Sequence, residues 1–374
     1  MSSFNQQPLL PSLLTTLAEQ KFTTLTDVQD QTLSALLEGR SLVGVAETGS
    51  GKTLAFVLPL LHQLKTLENH GSAISDPGRP RGLVLAPGRE LGEQVSKVFK
   101  TFTHGTRLRV RTALGGTKKQ IARQNVSGNF EILVATPGRL VQLLDSGELR
   151  LDDLRTLVFD EADQMLDQGF LPVARRILED TPKQVQLVLF SATLPVALEG
   201  AVKALFVSPP VQVRTEGSQR VVRTLTTVNR NIINGDRFSV LRETLAQTPD
   251  MSTILFANTR DQCELVGLWL DDMGVAYTSY RGQMDRKIRR QNLARFRAGE
   301  VAVLLTTDLG GRGLDIERVG RVINVHMPSS LDNYLHRVGR TARAGREGLV
   351  VNLVTQRDQP LLAKLKKREE SAKS

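Results

Sequence analysis

Short apolar runs rich in β-branched and aromatic residues alternate with amphipathic stretches along this 374-residue chain. In the first half, five such runs predict buried strands, at residues 42–45, 82–85, 132–135, 157–159 and 185–190. Amphipathic stretches such as "RELGEQVSKVFKTF" lie between them and predict helices. Strands that alternate with helices favour an α/β fold, in which a mostly parallel sheet has helices on both faces.

The second half of the chain repeats this alternation, with strands predicted at 253–256, 302–305, 321–325 and 349–353. The chain is longer than the size at which a single core stops growing, so we expect two domains. The polar stretch "RTEGSQRVVRT" marks the break between them. We therefore expect a first domain at 1–214, a linker at 215–224, a second domain at 225–363 and a basic tail at 364–374 that frays.

Composition narrows the class of protein. Cys263 is the only cysteine, which excludes an internal disulfide framework and a cysteine zinc cluster, and suits a reducing compartment. No apolar run is long enough to span a membrane, and the first residues lack the basic start and apolar stretch of a secretory signal. We therefore expect a cytoplasmic protein that has no membrane partner.

The formal net charge of +10 is concentrated in the second half of the chain. Residues 1–219 contain 23 Lys and Arg against 22 Asp and Glu, whereas residues 220–374 contain 26 against 17. A soluble protein can be basic without a functional reason, and a polyanion partner is the alternative interpretation. Charge alone does not decide between the two.

The stretch "AETGSGKT" at 46–53 follows a predicted strand and opens a helix, as a phosphate-binding loop does. Small residues let backbone N–H groups surround phosphate oxygens, and the helix N-terminus adds partial positive charge. Lys52 would reach the β- and γ-phosphates of ATP, and Thr53 would help to hold Mg²⁺. Ala46 replaces the first glycine of the usual pattern. The predicted nucleotide-binding residues of this loop are Thr48, Gly49, Ser50, Gly51, Lys52 and Thr53.

Three carboxylates, Asp160, Glu161 and Asp163, fall within four positions at the end of an apolar run. A carboxylate at the end of a buried strand is costly unless a cation pairs with it, and nucleotide-bound Mg²⁺ would do so at Asp160. Glu161 would then polarise the attacking water, and Asp163 would couple the site to its neighbours. Acidic residues are also common in the first turn of a helix, but that interpretation leaves the upstream phosphate loop unexplained.

The stretch "YLHRVGRTARAG" spaces Arg337, Arg340 and Arg343 by three residues. On one helical turn they would line a single edge, where guanidinium groups repel one another unless an anion lies opposite. A solvated basic face is the common explanation. The alternative is that Arg340 and Arg343 act as arginine fingers on the γ-phosphate of ATP bound to the first domain. In the Gly-rich turn "TDLGGRGLD", Gly313 and Asp315 are predicted to contact the nucleotide.

Together these motifs resemble a DEAD-box ATP-dependent RNA helicase of superfamily 2, as a minimal, bacterial-like two-domain core, over residues 4–355. "DEAD" lies at 160–163 and "SAT" at 191–193, and "ILFANT", "RGLD" and "HRVGRTAR" follow in the family's order. "KFTTLTDVQ" resembles the adenine-reading Q motif, in which Phe22 would stack on the base and Gln29 would bond to its edge, with Phe4 as the upstream aromatic residue.

The resemblance implies two tandem RecA-like domains that use ATP and Mg²⁺, and it implies coupling roles for Asp163, Ser191, Thr193, His336 and Arg337. It also implies an RNA surface that grips the sugar–phosphate backbone and is largely independent of base sequence. Its residues on the first domain would be Pro87, Gly88, Arg89, Gly115, Gly116, Thr136, Pro137, Gly138 and Arg139. On the second domain they would be Gly282, Arg289 and Thr307.

The chain departs from the family's usual residues on both domains. The departures are Gly88 (Thr in the family), Gly92 (Ala), Arg281 (His), Arg286 (Gln), Gly310 and Gly311 (before the motif V arginine) and Ala342 (Gly). None of them removes a group that touches nucleotide phosphate. Gly88 loses a hydroxyl at the RNA face, for which the added arginines could compensate.

The leading hypothesis is an RNA-stimulated ATPase in which ATP and single-stranded RNA jointly close a cleft and bend one strand of a duplex. An ATP-gated RNA clamp or annealing factor uses the same residues and stays an open alternative. A DNA helicase is a further alternative, against which the Q-motif-like segment and the DEAD tetrapeptide argue. We expect a monomer; the physiological RNA and any ribonucleoprotein or RNA-decay partners are not defined by the sequence.

Overall fold

The computed structural model describes most of the chain, as residues 2–47, 49–74, 76–167, 171–194, 196–215, 225–248, 250–282, 284–308, 319–342 and 347–371. The chain divides into two compact units, Met1–Ser218 and Gln219–Ser374. Each unit contains one parallel β-sheet with helices packed against it.

The sheet of the first unit has, among the described residues, seven parallel strands in the order β3-β4-β2-β5-β6-β1-β7. The strands are β1 (Leu42–Val45), β2 (Gly82–Leu85), β3 (Val110–Ala113), β4 (Ile132–Ala135), β5 (Thr156–Phe159), β6 (Gln186–Ser191) and β7 (Val211–Arg214). The helices are α1 (Pro11–Glu19), α2 (Asp27–Leu37), α3 (Lys52–Asn69), α4 (Arg89–Thr106), α5 (Lys119–Val126), α6 (Pro137–Asp145), α7 (Ala162–Asp167), α8 (Leu171–Glu179) and α9 (Val196–Lys203), preceded by a 3-10 turn at Phe4–Gln6.

Alternate residues of the interior strands enter two different cores, one on each face of this sheet. Val84 of β2 packs in the core that contains Phe56 of α3. The preceding residue, Leu83, packs in the opposite core with Phe159 of β5. Because both faces of a parallel strand are buried, such strands have unbroken apolar sequences.

The sheet of the second unit has six parallel strands among the described residues, in the order β10-β11-β9-β12-β13-β8. The strands are β8 (Leu225–Asn231), β9 (Thr253–Ala257), β10 (Tyr277–Tyr280), β11 (Val303–Thr307), β12 (Arg321–Asn324) and β13 (Gly348–Val354). The helices are α10 (Arg237–Ala246), α11 (Arg260–Asp272), α12 (Arg286–Arg297), α13 (Leu331–Val338) and α14 (Gln359–Ser371). None of the described helices of either unit is long and apolar enough to cross a membrane.

The predicted α/β class is confirmed, and each of the nine predicted strands is present with small shifts of its ends. All nine are interior strands. The four strands that the sequence did not predict, β3, β7, β8 and β10, are the two edges of each sheet. An edge strand is exposed along one side, so polar residues interrupt its apolar pattern, as in the sequence LTTVNRN of β8.

The C-terminal segment differs from the prediction that it frays. The last helix, α14, continues through Ser371, and its Leu361 and Leu365 are buried in the core of the second unit. Lys364 and Lys366 lie on its exposed side. The segment is therefore a basic amphipathic helix, because every third or fourth residue is apolar and packs on the core.

Candidate active site and RNA interface

Six motifs of the first unit lie at the carboxyl ends of its strands, which parallel pairing brings to one edge of the sheet. The phosphate loop follows β1, "SAT" begins at the end of β6, and "DEAD" follows β5. "PGRE" follows β2, "TPGR" follows β4, and the glycine pair at 115–116 follows β3. In the sheet order, the predicted ATP motifs therefore occupy β5-β6-β1, and the predicted RNA motifs occupy the adjacent β3-β4-β2.

The phosphate loop surrounds the ammonium group of its own lysine. Lys52 is the first residue of α3, and its Nζ donates to the carbonyl oxygens of Ala46 and Glu47, each at 2.6 Å. Gly51 has a φ of 95°, a left-handed conformation that lets the chain turn from the loop into the helix. Burial lowers the pKa of Lys52, and the nearby carboxylates, Asp160 first, oppose that shift. The loop thus places a buried cation at a helix N-terminus.

The N-terminal segment is tied to the phosphate loop through Gln29. Its Nε2 donates to the carbonyl oxygen of Gly51 at 3.0 Å, and its Oε1 accepts from the backbone N–H of Thr26 at 2.9 Å. Gln29 is buried, whereas the ring of Phe22 is 44 % exposed and accessible to a stacking base. Phe4 is buried in the core of the first unit. The contact of Gln29 with adenine stays a prediction, since its amide already bonds to protein at both ends.

Asp160 and Glu161 are buried directly after β5. Burial, reinforced by the Glu161 carboxylate and opposed by Lys52, raises the pKa of Asp160 to about 7. A carboxylate that is so costly to ionise fits a site that a cation completes. Glu161 has a φ of 51°, which is uncommon for a residue other than glycine and is often found at functional sites.

Gln164 was not singled out from the sequence, yet it holds the Glu161 side chain. Gln164 is buried, and its Nε2 donates to Oε2 of Glu161. Its backbone N–H donates to Oδ1 of Asp163 at 3.0 Å. The spacing of three residues between Glu161 and Gln164, across the start of a helix, is the sequence signal that could have indicated the contact.

The DEAD and SAT motifs form one hydrogen-bonded cluster, because β5 and β6 are parallel neighbours. Oδ2 of Asp163 accepts from the backbone N–H groups of Ala192 at 3.2 Å and Thr193 at 3.0 Å. The same oxygen accepts from the hydroxyl of Thr193 at 3.2 Å. The backbone N–H of Asp163 donates to the hydroxyl of Ser191 at 3.2 Å. A displacement of either motif therefore strains bonds of the other.

The three predicted RNA loops of the first unit are joined to one another, with Thr117 at their centre. Nη1 of Arg89 donates to the hydroxyl of Thr117 at 3.2 Å, and Nη2 of Arg139 donates to its carbonyl oxygen. The backbone N–H of Gly115 donates to the hydroxyl of Thr136 at 2.8 Å. Thr117 was not predicted, and only its place next to the glycine pair points to it. The remaining predicted residues of these loops are Pro87, Gly88, Gly116, Pro137 and Gly138.

The carboxyl edge of the second unit's sheet is organised around Arg337, which is 1 % exposed. Its guanidinium group donates to both carboxylate oxygens of Asp308, with Nη2 at 2.7 Å from Oδ2. Nη2 also donates to Oδ1 of Asn258 at 2.7 Å, and Nη1 donates to the carbonyl oxygen of His326 at 2.7 Å. These partners follow β11, β9 and β12, so one side chain joins the ends of three strands.

The predicted helical edge of three arginines is wrong. α13 ends at Val338, between Arg337 and Arg340, so the spacing of three does not continue along one helix. Arg337 faces Asp308 within its own unit. Arg340 is buried, and its Nε donates to the carbonyl oxygen of His336 at 3.1 Å.

The predicted RNA residues of the second unit lie at one end of its sheet. Nη1 of Arg289 donates to the carbonyl oxygen of Gly282 at 3.2 Å. The Arg289 guanidinium carbon lies 5.4 Å from the centroid of the Tyr280 ring, at the end of β10. Thr307 ends the neighbouring β11. The three residues are therefore grouped around the ends of two adjacent strands.

Known proteins match the chain over both units. A DEAD/DEAH box helicase family model matches residues 26–200, and a helicase conserved C-terminal domain model matches residues 236–345. The ATP-dependent RNA helicase SrmB of Haemophilus influenzae is 34% identical over 371 residues, covering 99% of this chain and 83% of that protein. The DEAD-box ATP-dependent RNA helicase RhpA of Helicobacter pylori is 32% identical, covering 99% of this chain and 73% of that protein. The chain belongs to the DEAD-box ATP-dependent RNA helicases.

The solved structure of S. cerevisiae Dbp5 bound to RNA and ADP BeF3 is similar to this DEAD-box helicase over both units. The TM-score is 0.86 at 28% sequence identity, covering 99% of this chain and 94% of that chain. The prediction of two tandem RecA-like domains is thereby confirmed.

Three departures from the DEAD-box pattern have different structural settings. A methyl group on Gly92 would come within 2.5 Å of a methyl carbon of Leu114, so glycine allows α4 to pack closely there. Gly88 is extended, and an added Cβ would meet only Oε2 of Glu90, at an ordinary contact distance of 4.0 Å. Ala342 has a φ of 54°, in the left-handed region that glycine adopts without strain. The close packing thus explains Gly92, and nothing in the structure requires Gly88 or Ala342.

The added arginine at position 281 is paired, since its Nη1 lies 3.2 Å from Oε1 of Glu264. It therefore contributes less charge to the RNA face than the sequence suggested. The other added arginine, Arg286, begins α12. Several residues that the sequence singled out lie outside the described residues, namely Thr48, Gly310, Gly311, Gly313, Asp315 and Arg343.

Proposed function

We propose that this DEAD-box helicase binds ATP on the β5-β6-β1 side of the first unit's sheet edge and grips RNA on the β3-β4-β2 side. The order of the strands in the sheet supports this proposal most strongly, because it places the motifs in two adjacent groups along one continuous edge. Binding at one group can influence the other, because β2 and β5 are neighbours. On this basis RNA stimulates ATP hydrolysis, and the ATP cycle separates short RNA duplexes.

The nucleotide site would hold ATP with Mg²⁺. Phosphate oxygens would compete for the ammonium hydrogens of Lys52, which the loop carbonyls now accept. Asp160 and the hydroxyl of Thr53 supply oxygen donors, which are the ligands that Mg²⁺ prefers, and the buried carboxylate of Asp160 supports such a cation. Bound Mg²⁺ would offset phosphate charge.

The catalytic roles rest on Glu161 and the second unit's arginines. Glu161 would orient and polarise the attacking water, with Gln164 holding its carboxylate in place. Arg340 and Arg343 would stabilise charge on the transferred phosphoryl group when the units close on ATP.

The RNA site would bind the sugar–phosphate backbone without reading bases. Arg89 and Arg139 both donate to Thr117, so the three loops would bind a strand as one rigid surface. Gly282, Arg289 and Thr307 would continue the contact on the second unit. Such contacts make affinity dependent on salt and largely independent of base sequence.

The domain limits, location and oligomeric state are also part of the proposal. The first domain is 1–214, the second is 225–363, and 215–224 link them. We place the protein in the cytoplasm as a monomer, with RNA as its partner and ribonucleoprotein or RNA-decay proteins as further candidates.

A duplex-release assay tests the proposed activity. The wild-type chain is mixed with a short RNA duplex or the matched DNA duplex, with and without ATP, and the released strand is measured. Release of RNA that requires ATP is the expected result. Tight ATP-dependent binding or annealing without release would favour the RNA clamp, and equal release of the DNA duplex would favour a DNA helicase.

A further inference from the structure

The helix α12 of the second unit carries a strong positive charge. Its 12 residues, RKIRRQNLARFR, include six Lys or Arg and no Asp or Glu. Arg289 is the one member of this set with a proposed RNA contact. The remaining basic residues contribute much of the excess charge of the second half of the chain, and apart from Arg286, which stands where the family has Gln, they belong to none of the motifs described above.

The packing of α12 fixes which of its residues face solvent. Leu293 and Phe296 are buried in the core of the second unit, and Nδ2 of Asn292 donates to the carbonyl oxygen of Ser279 at 2.8 Å. Since successive residues turn by about 100° around a helix, the opposite face carries Lys287, with Arg290 beside it. Both side chains are exposed.

The nearby carboxylates are engaged elsewhere. Oδ1 of Asp285 accepts from the backbone N–H groups of Lys287 at 2.8 Å and Ile288 at 3.3 Å, so this carboxylate caps the helix. Glu300 pairs with Arg295, with 3.4 Å between Oε2 and Nε. Within the part of the chain that the structure describes, no carboxylate forms an ion pair with Lys287 or Arg290. Their charge is therefore available to an anion from outside.

The exposed residues Lys287, Arg290 and Arg297 form a basic stripe along α12. This stripe begins near the proposed RNA contact and extends away from it. The helix starts close to Gly282, to which Arg289 donates its hydrogen bond. From Lys287 to Arg297, which is also exposed, the stripe extends about 15 Å along the helix axis. Over that length a nucleic-acid strand presents about four phosphates.

We infer that the exposed face of α12, carried by Lys287 and Arg290, binds the phosphate backbone of RNA that extends beyond the strand held by the motif residues. The inference rests on the proposed RNA site at Gly282 and Arg289. An RNA backbone fits better than an acidic peptide, because the stripe continues the surface at Gly282 and Arg289, which is itself proposed to bind RNA phosphates. The contact adds affinity for long or partly double-stranded RNA, and it does not select a base sequence.

Three RNAs test the inference in a fluorescence anisotropy titration. One is a short single strand that fills only the motif residues, the second is a longer single strand, and the third is the short strand extended by a duplex. Lys287→Ala/Arg290→Ala should weaken binding of at least one extended RNA about tenfold at low salt. The slope of log affinity against log salt should fall by about 1.4 to 1.8 for that RNA. The second and third RNAs distinguish a single-stranded extension from a duplex.

The matched control is Lys364→Ala/Lys366→Ala, which removes the same charge from exposed positions of another helix of the second unit. It should leave all three affinities nearly unchanged, and Lys287→Arg/Arg290→Lys should retain wild-type binding. An equal loss on the short strand, or no greater loss than in the control, would overturn the inference. If the Lys287→Ala/Arg290→Ala variant lost no affinity for any of the three RNAs, the inference would also be overturned, and an acidic partner would be the remaining candidate ligand for the stripe. Failure of the wild-type chain to bind the short strand would instead count against the proposed RNA site.

Discussion

The Arg337→Met substitution should destabilise the second unit selectively. Arg337 is 1 % exposed, and its guanidinium group bonds to Asp308, Asn258, Asn324 and His326. Methionine keeps the apolar stem of the side chain and removes every one of these bonds. The Asp308 carboxylate, with 22 % of its side chain exposed, then loses its cation.

The magnitude follows from the burial of this pair. Removing one partner of a buried ion pair costs about 3–5 kcal/mol, because the remaining charge stays without its partner. Asp308 is partly accessible to water, so the cost should lie near the lower limit. With a urea dependence of about 2 kcal/mol per M, the unfolding midpoint of the second unit should fall by about 1.5 M.

The single tryptophan of the chain makes the assay specific for that unit. Trp269 lies on α11 and packs edge to face against Phe238, with 6.1 Å between ring centroids. Its fluorescence therefore reports unfolding of the second unit, whereas far-ultraviolet circular dichroism reports both units. The fluorescence transition should shift to lower urea, and the part of the dichroism transition that belongs to the first unit should not move.

Arg260→Met is the matched control, because Arg260 pairs with Glu264 at the surface, where 68 % of its side chain is exposed. Exposed pairs contribute little to stability, so its midpoint should equal that of the wild type within error. If both variants shift the fluorescence midpoint by the same small amount, Arg337 does not hold the strand ends together.

Three further substitutions give separate tests. Gly88→Thr should strengthen RNA binding in anisotropy titrations, because an added Cβ makes only an ordinary 4.0 Å contact with Oε2 of Glu90 and the hydroxyl can reach a phosphate. Weaker binding would show that this position does not accommodate the larger side chain. Ala342→Gly should raise the thermal midpoint slightly. The substitution removes the cost of about 1–2 kcal/mol that alanine has in the left-handed region of the folded state. This gain exceeds the loss of about 0.4–1 kcal/mol that arises because glycine increases the entropy of the unfolded chain. A lower thermal midpoint in this variant would show that the backbone at Ala342 is not strained. Burial, with help from Arg237 and Arg337, lowers the pKa of His326 from its ordinary value of 6.5 to about 4. The unfolded chain therefore binds a proton that the folded chain does not, and the second unit should lose stability as pH falls from about 6.5 to about 4. His326→Asn should flatten this dependence in Trp269 fluorescence, and an unchanged pH profile would exclude His326 as its source.

The interior of both sheets could be predicted from sequence because burial on two faces produces unbroken apolar runs. The edge strands could not, since a strand such as β8 is mostly exposed and its polar residues resemble a loop. Strand order was also beyond prediction, because it depends on how crossovers pack in three dimensions. That order decides which motifs become neighbours.

The candidate site shows the same division. Motifs that are contiguous in sequence, such as the phosphate loop and the acidic cluster, could be predicted because their chemistry depends on local spacing. Contacts between distant residues could not: Asp308 and Arg337 are 29 residues apart, and nothing in either segment indicates the pairing. The predicted edge of three arginines failed for a local reason, since α13 ends before Arg340.

Phosphate release from ATP, measured with and without RNA for the wild type and Glu161→Gln, tests whether Glu161 activates water in an RNA-stimulated ATPase. In the variant, the new amide can offer its oxygen to Gln164 and keep its position, but it cannot draw a proton from water. We expect RNA-stimulated release by the wild type. We expect almost no release by the variant, although the variant should bind ATP and RNA as the wild type does. Equal turnover by the variant would exclude this role of Glu161, and wild-type turnover that RNA leaves unchanged would contradict an RNA-stimulated ATPase.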